Sequence, residues 1–542
     1  MNTPCFFPGA DLILTSAVIH TFDEKNPLAE AVAVSGERIA AVGSNDEIKV
    51  LASPGTEEID LGGKLVLPGF TDSHFHYYEW ATNKNNINLA PARSFRDMAS
   101  AVKTRAETAE KGEWILGQGF NESDWPENRI PDKNDLDCLA PDNPVCLWRC
   151  DLHLASANSM ALKLAGIDKN TQNPADGIIE KGQNGHPTGI LRKLAPNLIR
   201  AVVPELSDEK IINNMTDGFT FLHSLGITGI HDIRLMGGLD GAASLRAWQK
   251  IREGNQCRVR CHVTLPGEMI DHALALGLRT GFGDDILKIG HLKFFADGGM
   301  GARTAWMNEK YRDAEFGMPL TPVNELKSAL DRADSAGLSL MIHAIGTRAN
   351  REIIAMFHNN EKKQTSGTPV PHRIEHVQMI EPEDLEKLGQ LKNAAVSCQP
   401  NNLSLDISMI EHCVGQRAKH TYRLKSIMET GIPTLFSSDA PVCDPRPLAG
   451  IFSAVNRMRM DKTPEQGWYM NEAISVDQAL RAYTINPALA TGVGKDLGSI
   501  ERGKFADLTV LNRNLYEVDP LDIADVQADL TIFNGRIVYQ RK

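Results

Sequence analysis

Apolar runs of strand length alternate with helical patterns through the middle of the chain. This alternation is typical of parallel β/α architecture. Eight of the runs are candidate strands of one parallel sheet: 65–71, 226–232, 257–264, 288–295, 337–343, 372–377, 394–399 and 432–438. Eight is the number of strands in a closed (β/α)8 barrel, so the pattern predicts an α/β protein built on a TIM-like barrel.

The two ends of the chain have a different pattern, in which short apolar strands are separated by turns. Near the carboxyl end, the runs 530–533 and 536–539 flank Asn534-Gly535, a dipeptide that is a strong signal for a β-hairpin. Strand-rich segments at both ends indicate one small domain assembled from the two. We predict a β-sandwich domain from residues 1–65 and 490–542, and a barrel from residues 66–489.

The predicted barrel region is longer than the roughly 250 residues typical of such a barrel. Most of the excess lies between the first two predicted strands, at about 80–210. This segment is rich in tryptophan, proline and asparagine. We interpret it as an inserted subdomain, or lid, on the face where loops follow the strands.

Composition and charge exclude some classes of protein. The chain has 542 residues with a formal net charge of −12, whereas a nucleic-acid surface needs a basic footprint. No apolar run approaches the ~18 residues of a membrane span, and the amino end does not resemble a signal peptide. The nine cysteines are scattered without Cys-x-x-Cys spacing, which is typical of reduced thiols. We expect a cytoplasmic protein with a small-molecule partner and no nucleic-acid or membrane partner; a homo-oligomer stays open.

Candidate metal ligands stand at the ends of the predicted strands. His74 and His76 follow the first barrel strand, and alternate residues of a strand point to the same face. Both imidazoles can therefore reach one metal ion. The ends of later strands carry Lys293, His343, His376 and Asp439. Because barrel enzymes place their chemistry at the carboxyl ends of their strands, these six side chains predict a metal site.

Several segments resemble a known family. Residues 68–76, Pro-Gly-Phe-Thr-Asp-Ser-His-Phe-His, are similar to the opening motif of the amidohydrolase superfamily. Similar segments continue along nearly the whole chain, at 117–125, 151–159, 292–298, 342–346, 373–378, 437–441 and 498–508. Within the superfamily, the chain most resembles the metal-dependent hydrolases of the N-substituted formamide deformylase-like branch, amidohydrolase family 3.

The resemblance implies roles for the strand-end residues. His74 and His76 would hold a first metal ion, with Asp439 as a further ligand. His343 and His376 would hold a second. Lys293 matches the position that, in binuclear members, is carboxylated by carbon dioxide and bridges both ions. The apolar neighbours of Lys293 support this role because desolvation lowers a lysine pKa, and the reaction needs the neutral amine. We expect one or two divalent ions per chain, with zinc first among the candidates.

The resemblance also implies a reaction. Metal-activated hydroxide would attack a carbonyl, while Asp439 serves as general base and then as general acid toward the leaving amine. We expect hydrolysis of a carbon–nitrogen bond other than a peptide bond, in an amide, N-acyl or N-formyl compound. Two alternatives stay open. One is deamination or ring opening of a cyclic amide at the same site, and the other is a scaffold that kept the barrel without catalysis.

Three further residues are candidates for contact with the substrate. His153 lies in a segment that resembles the branch's His-x-x-x-x-Asn pattern. Asp297 and Arg303 follow the fourth predicted strand, where they could bind substrate or hold Lys293. Some positions depart from the branch pattern: Thr347 stands where an aspartate is usual, and Asn402 where a histidine is often found. None of the departures is a predicted metal ligand, so they affect the substrate rather than the reaction.

Overall fold

The computed structural model describes residues 9–84, 86–122, 125–149, 154–174, 177–193, 195–204, 206–238, 240–362, 368 and 370–542. The strands are β1 Leu12–Thr15, β2 Val18–His20, β3 Leu28–Ala29, β4 Ala31–Ser35, β5 Arg38–Gly43, β6 Glu57–Asp60, β7 Leu65–Pro68, β8 Phe70–Phe75, β9 Ile87–Asn88, β10 Ile115–Phe120, β11 Val145–Arg149, β12 Leu154–Ala157, β13 Gly177–Lys181, β14 Pro187–Lys193, β15 Ile227–Asp232, β16 Arg260–Pro266, β17 Leu287–Phe295, β18 Leu340–Ala344, β19 His372–His376, β20 Ala394–Cys398, β21 Thr434–Phe436, β22 Leu508–Leu511, β23 Ala528–Phe533 and β24 Arg536–Gln540. The helices are α1 Asn45–Lys49, α2 Tyr77–Thr82, α3 Phe95–Thr108, α4 Lys133–Leu139, α5 Ser159–Leu164, α6 Asn197–Arg200, α7 Asp208–Ser224, α8 Gly241–Glu253, α9 Ile270–Ala275, α10 Val323–Ser335, α11 Thr347–Glu361, α12 Pro382–Gly389, α13 Leu403–Val414, α14 Leu424–Glu429, α15 Pro447–Asn456, α16 Val476–Tyr483 and α17 Ile485–Ala490.

Eight parallel strands form the central sheet, in the order β21-β20-β19-β18-β17-β16-β15-β8. The two ends of this order meet. Asp439 N–H, beyond β21, donates to the carbonyl of His74 in β8 at 2.8 Å, and His76 N–H donates to the carbonyl of Ala440 at 2.9 Å. The sheet is thus a nearly closed barrel, and the predicted TIM-like (β/α)8 fold is confirmed.

The strands and helices of the barrel bury residues with the spacing that each type of element requires. Every residue of β15, β19 and β20 is buried, as expected for parallel strands covered on both faces. In α10 the buried apolar residues recur at helical spacing, at Leu326, Ala329, Leu330 and Ala333. They join the main core, which lies between the strands and the surrounding helices.

The two ends of the chain together form the predicted β-sandwich. One sheet has the order β5-β4-β1-β6, and the other has the order β24-β23-β22-β7-β2-β3. Apolar side chains from both chain ends share one core, among them Leu14, Val66 and Val510. Asn534 and Gly535 adopt left-handed backbone conformations, with φ of +53° and +76°, and join β23 to β24 as their sequence predicted.

The first predicted barrel strand, 65–71, is corrected by the structure. Residues Leu65–Pro68 pair with β22 and β2 in the sandwich, and the barrel strand begins at Phe70. The chain changes sheet at Gly69, where an added Cβ would lie 2.1 Å from Thr228 Oγ1 of β15. Only glycine allows this close approach, so a single apolar run serves two sheets.

The segment between α2 and α7 forms a compact unit of its own, Thr82–Ser207. Its sheet has the order β13-β14-β12-β11-β10-β9. Side chains of β11 alternate between two cores: Val145 and Leu147 lie in one, and Cys146 and Trp148 in the other. Both faces of this sheet are therefore covered. The barrel and the sandwich together form the other unit. Among the described residues, no helix is long and apolar enough to cross a membrane.

A buried ion pair joins the barrel to the sandwich. Arg260 of β16 contacts Asp507, just before β22, through Nε–Oδ2 at 2.6 Å and Nη2–Oδ1 at 3.1 Å, with side-chain exposures of 6% and 5%. Arg260 also donates to Asn534 Oδ1 at 2.9 Å, and its guanidinium lies 4.0 Å from the ring centroid of Phe505. Such a bidentate, desolvated pair fixes the geometry of the two elements that it joins.

We expect Arg260→Leu to lower the free energy of unfolding by about 3 to 5 kcal/mol, because it leaves the Asp507 carboxylate buried without its guanidinium partner. Denaturant unfolding followed by circular dichroism measures the loss. The matched control is Arg541→Leu, since Arg541 pairs with Asp529 on the surface at 40% side-chain exposure. An exposed pair contributes about 0 to 1 kcal/mol. Equal effects of the two substitutions would contradict the structural role of Arg260.

Candidate metal centre

Three predicted ligands converge at the carboxyl end of the barrel. Asp439 Oδ1 lies 3.3 Å from His74 Nε2 and 3.2 Å from His76 Nε2. One ligand atom from each residue lies within 4.8 Å of the others, and all three residues are buried. Two imidazole nitrogens and a carboxylate oxygen that face one point are a donor set for a divalent cation.

The local backbone explains why Asp439 reaches the two histidines. Asp439 follows β21 in a left-handed conformation, with φ of +61°, which is uncommon for a residue other than glycine. Just before it, Ser438 Oγ donates to Asp72 Oδ2 at 2.6 Å, and His74 N–H donates to Asp72 Oδ1 at 3.1 Å. Asp72 therefore ties both ligand-bearing segments together. The Thr-Asp-Ser-His sequence thus contains both a residue that joins two strands, Asp72, and a predicted metal ligand, His74.

Hydrogen bonds at the opposite ring nitrogens orient the two histidines. His74 Nδ1 lies 2.5 Å from Glu375 Oε2, and His76 Nδ1 lies 3.1 Å from the carbonyl of Ile233. A proton on each Nδ1 satisfies these acceptors and leaves the Nε2 lone pair directed at Asp439. Burial lowers the pKa of His74 well below its ordinary value, so this imidazole is neutral at pH 7.

The other two histidines that were predicted as metal ligands, His343 and His376, lie beside this group. The ring centroid of His376 lies 5.1 Å from that of His74, and the ring centroid of His343 lies 4.4 Å from that of His376. His343 Nε2 lies 3.3 Å from the carbonyl of Gly298, which leaves Nδ1 as its free nitrogen. Burial lowers the pKa of His343 to about 3 and also lowers that of His376. Both rings are therefore neutral donors at physiological pH.

Lys293 is buried in the barrel without a hydrogen-bond partner among the described groups. It lies in β17 and is 1% exposed, and no described group bonds to its Nζ, which lies 4.7 Å from the ring centroid of Phe295. Burial lowers its pKa to about 8, while the charges of Glu375 and Asp439 oppose the shift. With that pKa, roughly a tenth of the amine is neutral at pH 7. A buried amine without a partner is consistent with a lysine whose Nζ is chemically modified or binds a ligand.

The carboxylate of Asp439 is held ionised. Burial by itself raises its pKa, but the surrounding imidazoles of His74, His76 and His376 bring the pKa below its ordinary value. The group is therefore a proton acceptor at neutral pH. It is also the one among the three converging ligands that can hold a proton on oxygen and release it again.

Sequence reasoning missed a buried charge pair that supports His74. Glu375 is completely buried, and its carboxylate lies 2.9 Å from Arg373 Nε as well as 2.5 Å from His74 Nδ1. Arg373 also donates to the carbonyl of Ser73 at 2.8 Å and lies 2.6 Å from His231 Nδ1. The signal was present in the sequence: two opposite charges flank Ile374 in a short strand that begins and ends with histidine. Such charges need partners when they are buried.

The three predicted substrate contacts have different outcomes. Asp297 is buried, and its oxygens accept hydrogen bonds from the backbone of Trp306, Ile345 and Gly346 at 2.8 to 3.0 Å, so it braces two loops. Arg303 pairs with Asp313 on a partly exposed loop. Neither contacts Lys293 Nζ, which has no partner among the described groups. His153 lies outside the described residues.

Comparison with known proteins identifies the family of this chain. A sequence profile of the Amidohydrolase family matches residues 57–539. The chain is 32% identical to the Protein LONG AFTER FAR-RED 3 of Arabidopsis thaliana over 541 residues, which cover 98% of this chain and 92% of that protein. It is 28% identical to N-substituted formamide deformylase of Arthrobacter pascens over 546 residues, which cover 98% of each.

A solved structure extends the similarity to three dimensions. The crystal structure of an uncharacterized metal-dependent hydrolase from Pyrococcus furiosus is 29% identical in sequence, with a TM-score of 0.75. The match covers 94% of this chain and 99% of that one. Fold, strand-end residues and sequence profile agree, and the chain belongs to amidohydrolase family 3, on the barrel of the metal-dependent hydrolases.

Proposed function

We propose that this protein hydrolyses a carbon–nitrogen bond other than a peptide bond, in an N-formyl or other N-acyl amide. The observation that carries the proposal is the approach of Asp439 Oδ1 to both His74 Nε2 and His76 Nε2, at 3.3 and 3.2 Å. A carboxylate in that place can share a cation with the imidazoles and exchange protons with a reactant beside it. Similarity to a formamide deformylase over 98% of the chain favours the N-formyl class.

The donor set fits a divalent metal, for which we propose zinc because imidazole and carboxylate are ligands that zinc takes. His74, His76 and Asp439 would hold a first ion. His343 and His376 would hold a second, and a carbamate formed from Lys293 and carbon dioxide would bridge the two. A bound ion of this kind lowers the pKa of water to about 7 and polarises a carbonyl oxygen.

The protein's own groups account for the movement of protons. The ionised Asp439 accepts a proton from the attacking water as the water oxygen bonds to the carbonyl carbon. The same carboxyl then donates that proton to the amine nitrogen as the carbon–nitrogen bond breaks. Glu375, through its contact with His74 Nδ1, keeps the His74 ring fixed during both steps. Burial of these side chains strengthens their electrostatic interactions, because little water competes for them.

We expect Asp439→Asn to lower kcat about 10²- to 10⁴-fold toward a simple N-alkylformamide, because the amide side chain cannot accept and return the proton. Release of formate measures the rate, and elemental analysis of each variant separates loss of metal from loss of proton transfer. Asp444→Asn is the matched control, since Asp444 lies on the same loop and is 44% exposed. Full activity in Asp439→Asn would remove this residue from the mechanism.

We expect wild-type protein purified with bicarbonate to contain two metal ions per chain, and Lys293→Ala to contain one or none. The physical reason is that loss of the bridging carbamate removes a ligand from both ions. Lys288→Ala, at the start of the same strand, is the control. One ion in both wild type and Lys293→Ala would rule out the bridge. Wild type without bound metal would favour a non-catalytic scaffold instead.

We expect Glu375→Gln to weaken metal binding about 10- to 100-fold, because the His74 ring loses its charged acceptor. Competition with a chelator of known affinity measures the change without any substrate. Glu429→Gln, at 62% side-chain exposure, provides the comparison. Unchanged affinity in Glu375→Gln would show that Arg373 and Glu375 only fill the barrel.

A further inference from the structure

Three polar side chains form a closed hydrogen-bonded group on the loops beyond the strands. Gln378 Nε2 donates to Asp406 Oδ2 at 2.7 Å and to the Tyr422 hydroxyl oxygen at 3.0 Å, and the Tyr422 hydroxyl donates to Asp406 Oδ2 at 2.5 Å. Gln378 follows β19, Asp406 lies in the first turn of α13, and Tyr422 precedes α14. Asp406 is therefore held by two donors from two different loops.

The two oxygens of Asp406 have different environments. Both hydrogen bonds go to Oδ2, and no described group bonds to Oδ1. Asp406 is partly exposed, whereas Gln378 and Tyr422 are buried. Among the described residues, no lysine, arginine or histidine forms an ion pair with Asp406. The Asp406 carboxylate is thus fixed through Oδ2, while Oδ1 has no hydrogen-bond partner among the described groups.

This group lies next to the candidate metal centre. Gln378 is two residues beyond His376, and its carbonyl accepts from the N–H of Tyr422 at 2.8 Å, which holds the two loops together. Burial raises the pKa of Asp406 to about 6; the hydrogen bonds from Tyr422 and Gln378 oppose the shift, and the negative charge of Asp439 adds to it. Asp406 is therefore ionised near pH 7 and within electrostatic reach of Asp439.

We propose that Asp406 Oδ1 binds a positively charged amine of the substrate, so that the substrates are N-acyl amides that also carry an ammonium group. This rests on the proposed function, because it places the scissile amide at Asp439. The charge-assisted hydrogen bond supplies the partner that Asp406 lacks within the protein. Rigid anchoring by Gln378 and Tyr422 lowers the ordering cost of that contact. Asp406 then selects the substrate, and the barrel ligands carry out the reaction.

The test compares two formamides that differ in one group. One is the monoformyl derivative of a four-carbon linear diamine, and the other is N-pentylformamide, in which a methyl group replaces the ammonium. We expect wild type at pH 7.5 to prefer the cationic compound in kcat/KM by about ten- to hundredfold, the range for a hydrogen bond between charged groups. Asp406→Asn should abolish this preference, mainly through KM. Tyr422→Phe should reduce it, because Asp406 loses one of its two anchors.

Glu411→Gln is the control for long-range electrostatics, since it removes one negative charge from an exposed position on the same helix. It should keep the full preference for the cationic compound. Equal kcat/KM for both compounds in wild type, or an equal preference in wild type and Asp406→Asn, would overturn the role of Asp406.

Binding separates the failure of this inference from the failure of the proposed function. Ligand-observed NMR titration gives the two dissociation constants without turnover, in wild type and in each variant. If neither formamide is hydrolysed, the proposed reaction fails. A cation preference in binding that Asp406→Asn removes would still support Asp406, and no preference in binding would refute it.

Discussion

The seam between the first and last strands of the barrel is the interaction on which the candidate site depends. Asp72 and Ser438, 366 positions apart, are joined through both a side-chain and a backbone hydrogen bond. The same seam includes the bond from Asp439 N–H to the carbonyl of His74. Because these contacts fix the register of two distant segments, Asp439 Oδ1 is delivered to the imidazoles of the first strand. The contacts that close the barrel therefore also bring the residues of the candidate site together.

A buried charge pair contacts the candidate site through His74. Arg373 and Glu375 are completely buried, and their contacts run from His231 through the pair to His74. Desolvating two charges is costly, and the cost is offset only when the geometry of the pair is good. A group built in this way tolerates few alternative arrangements. The result is a single orientation of the His74 ring, with its Nε2 directed at Asp439.

Four non-glycine residues in the loops around the candidate site have a left-handed backbone. His376, Val377 and Asp439 all have positive φ, at +73°, +43° and +61°, and Tyr422 has +47°. Such conformations cost free energy and persist only where surrounding contacts impose them. These four residues lie in the loops that carry the candidate ligands and the Asp406 group. The packing of the barrel and its helices offsets this free-energy cost. Because these residues lie in loops, substrate selection can differ among proteins that share the barrel.

The sequence by itself determined the barrel fold and predicted the residues of the candidate metal centre. Most buried parallel strands are apolar runs, so the positions of all but the first barrel strand and the polar residues at their ends could be predicted, as could the Asn534-Gly535 hairpin. The break at Gly69, the support of His74 by Glu375 and the anchoring of Asp406 by Gln378 and Tyr422 were decided by the tertiary structure. The physical reason is distance along the chain. Glu375 lies 301 positions from His74, and Asp406 lies 28 from Gln378, so no local periodicity reports these contacts.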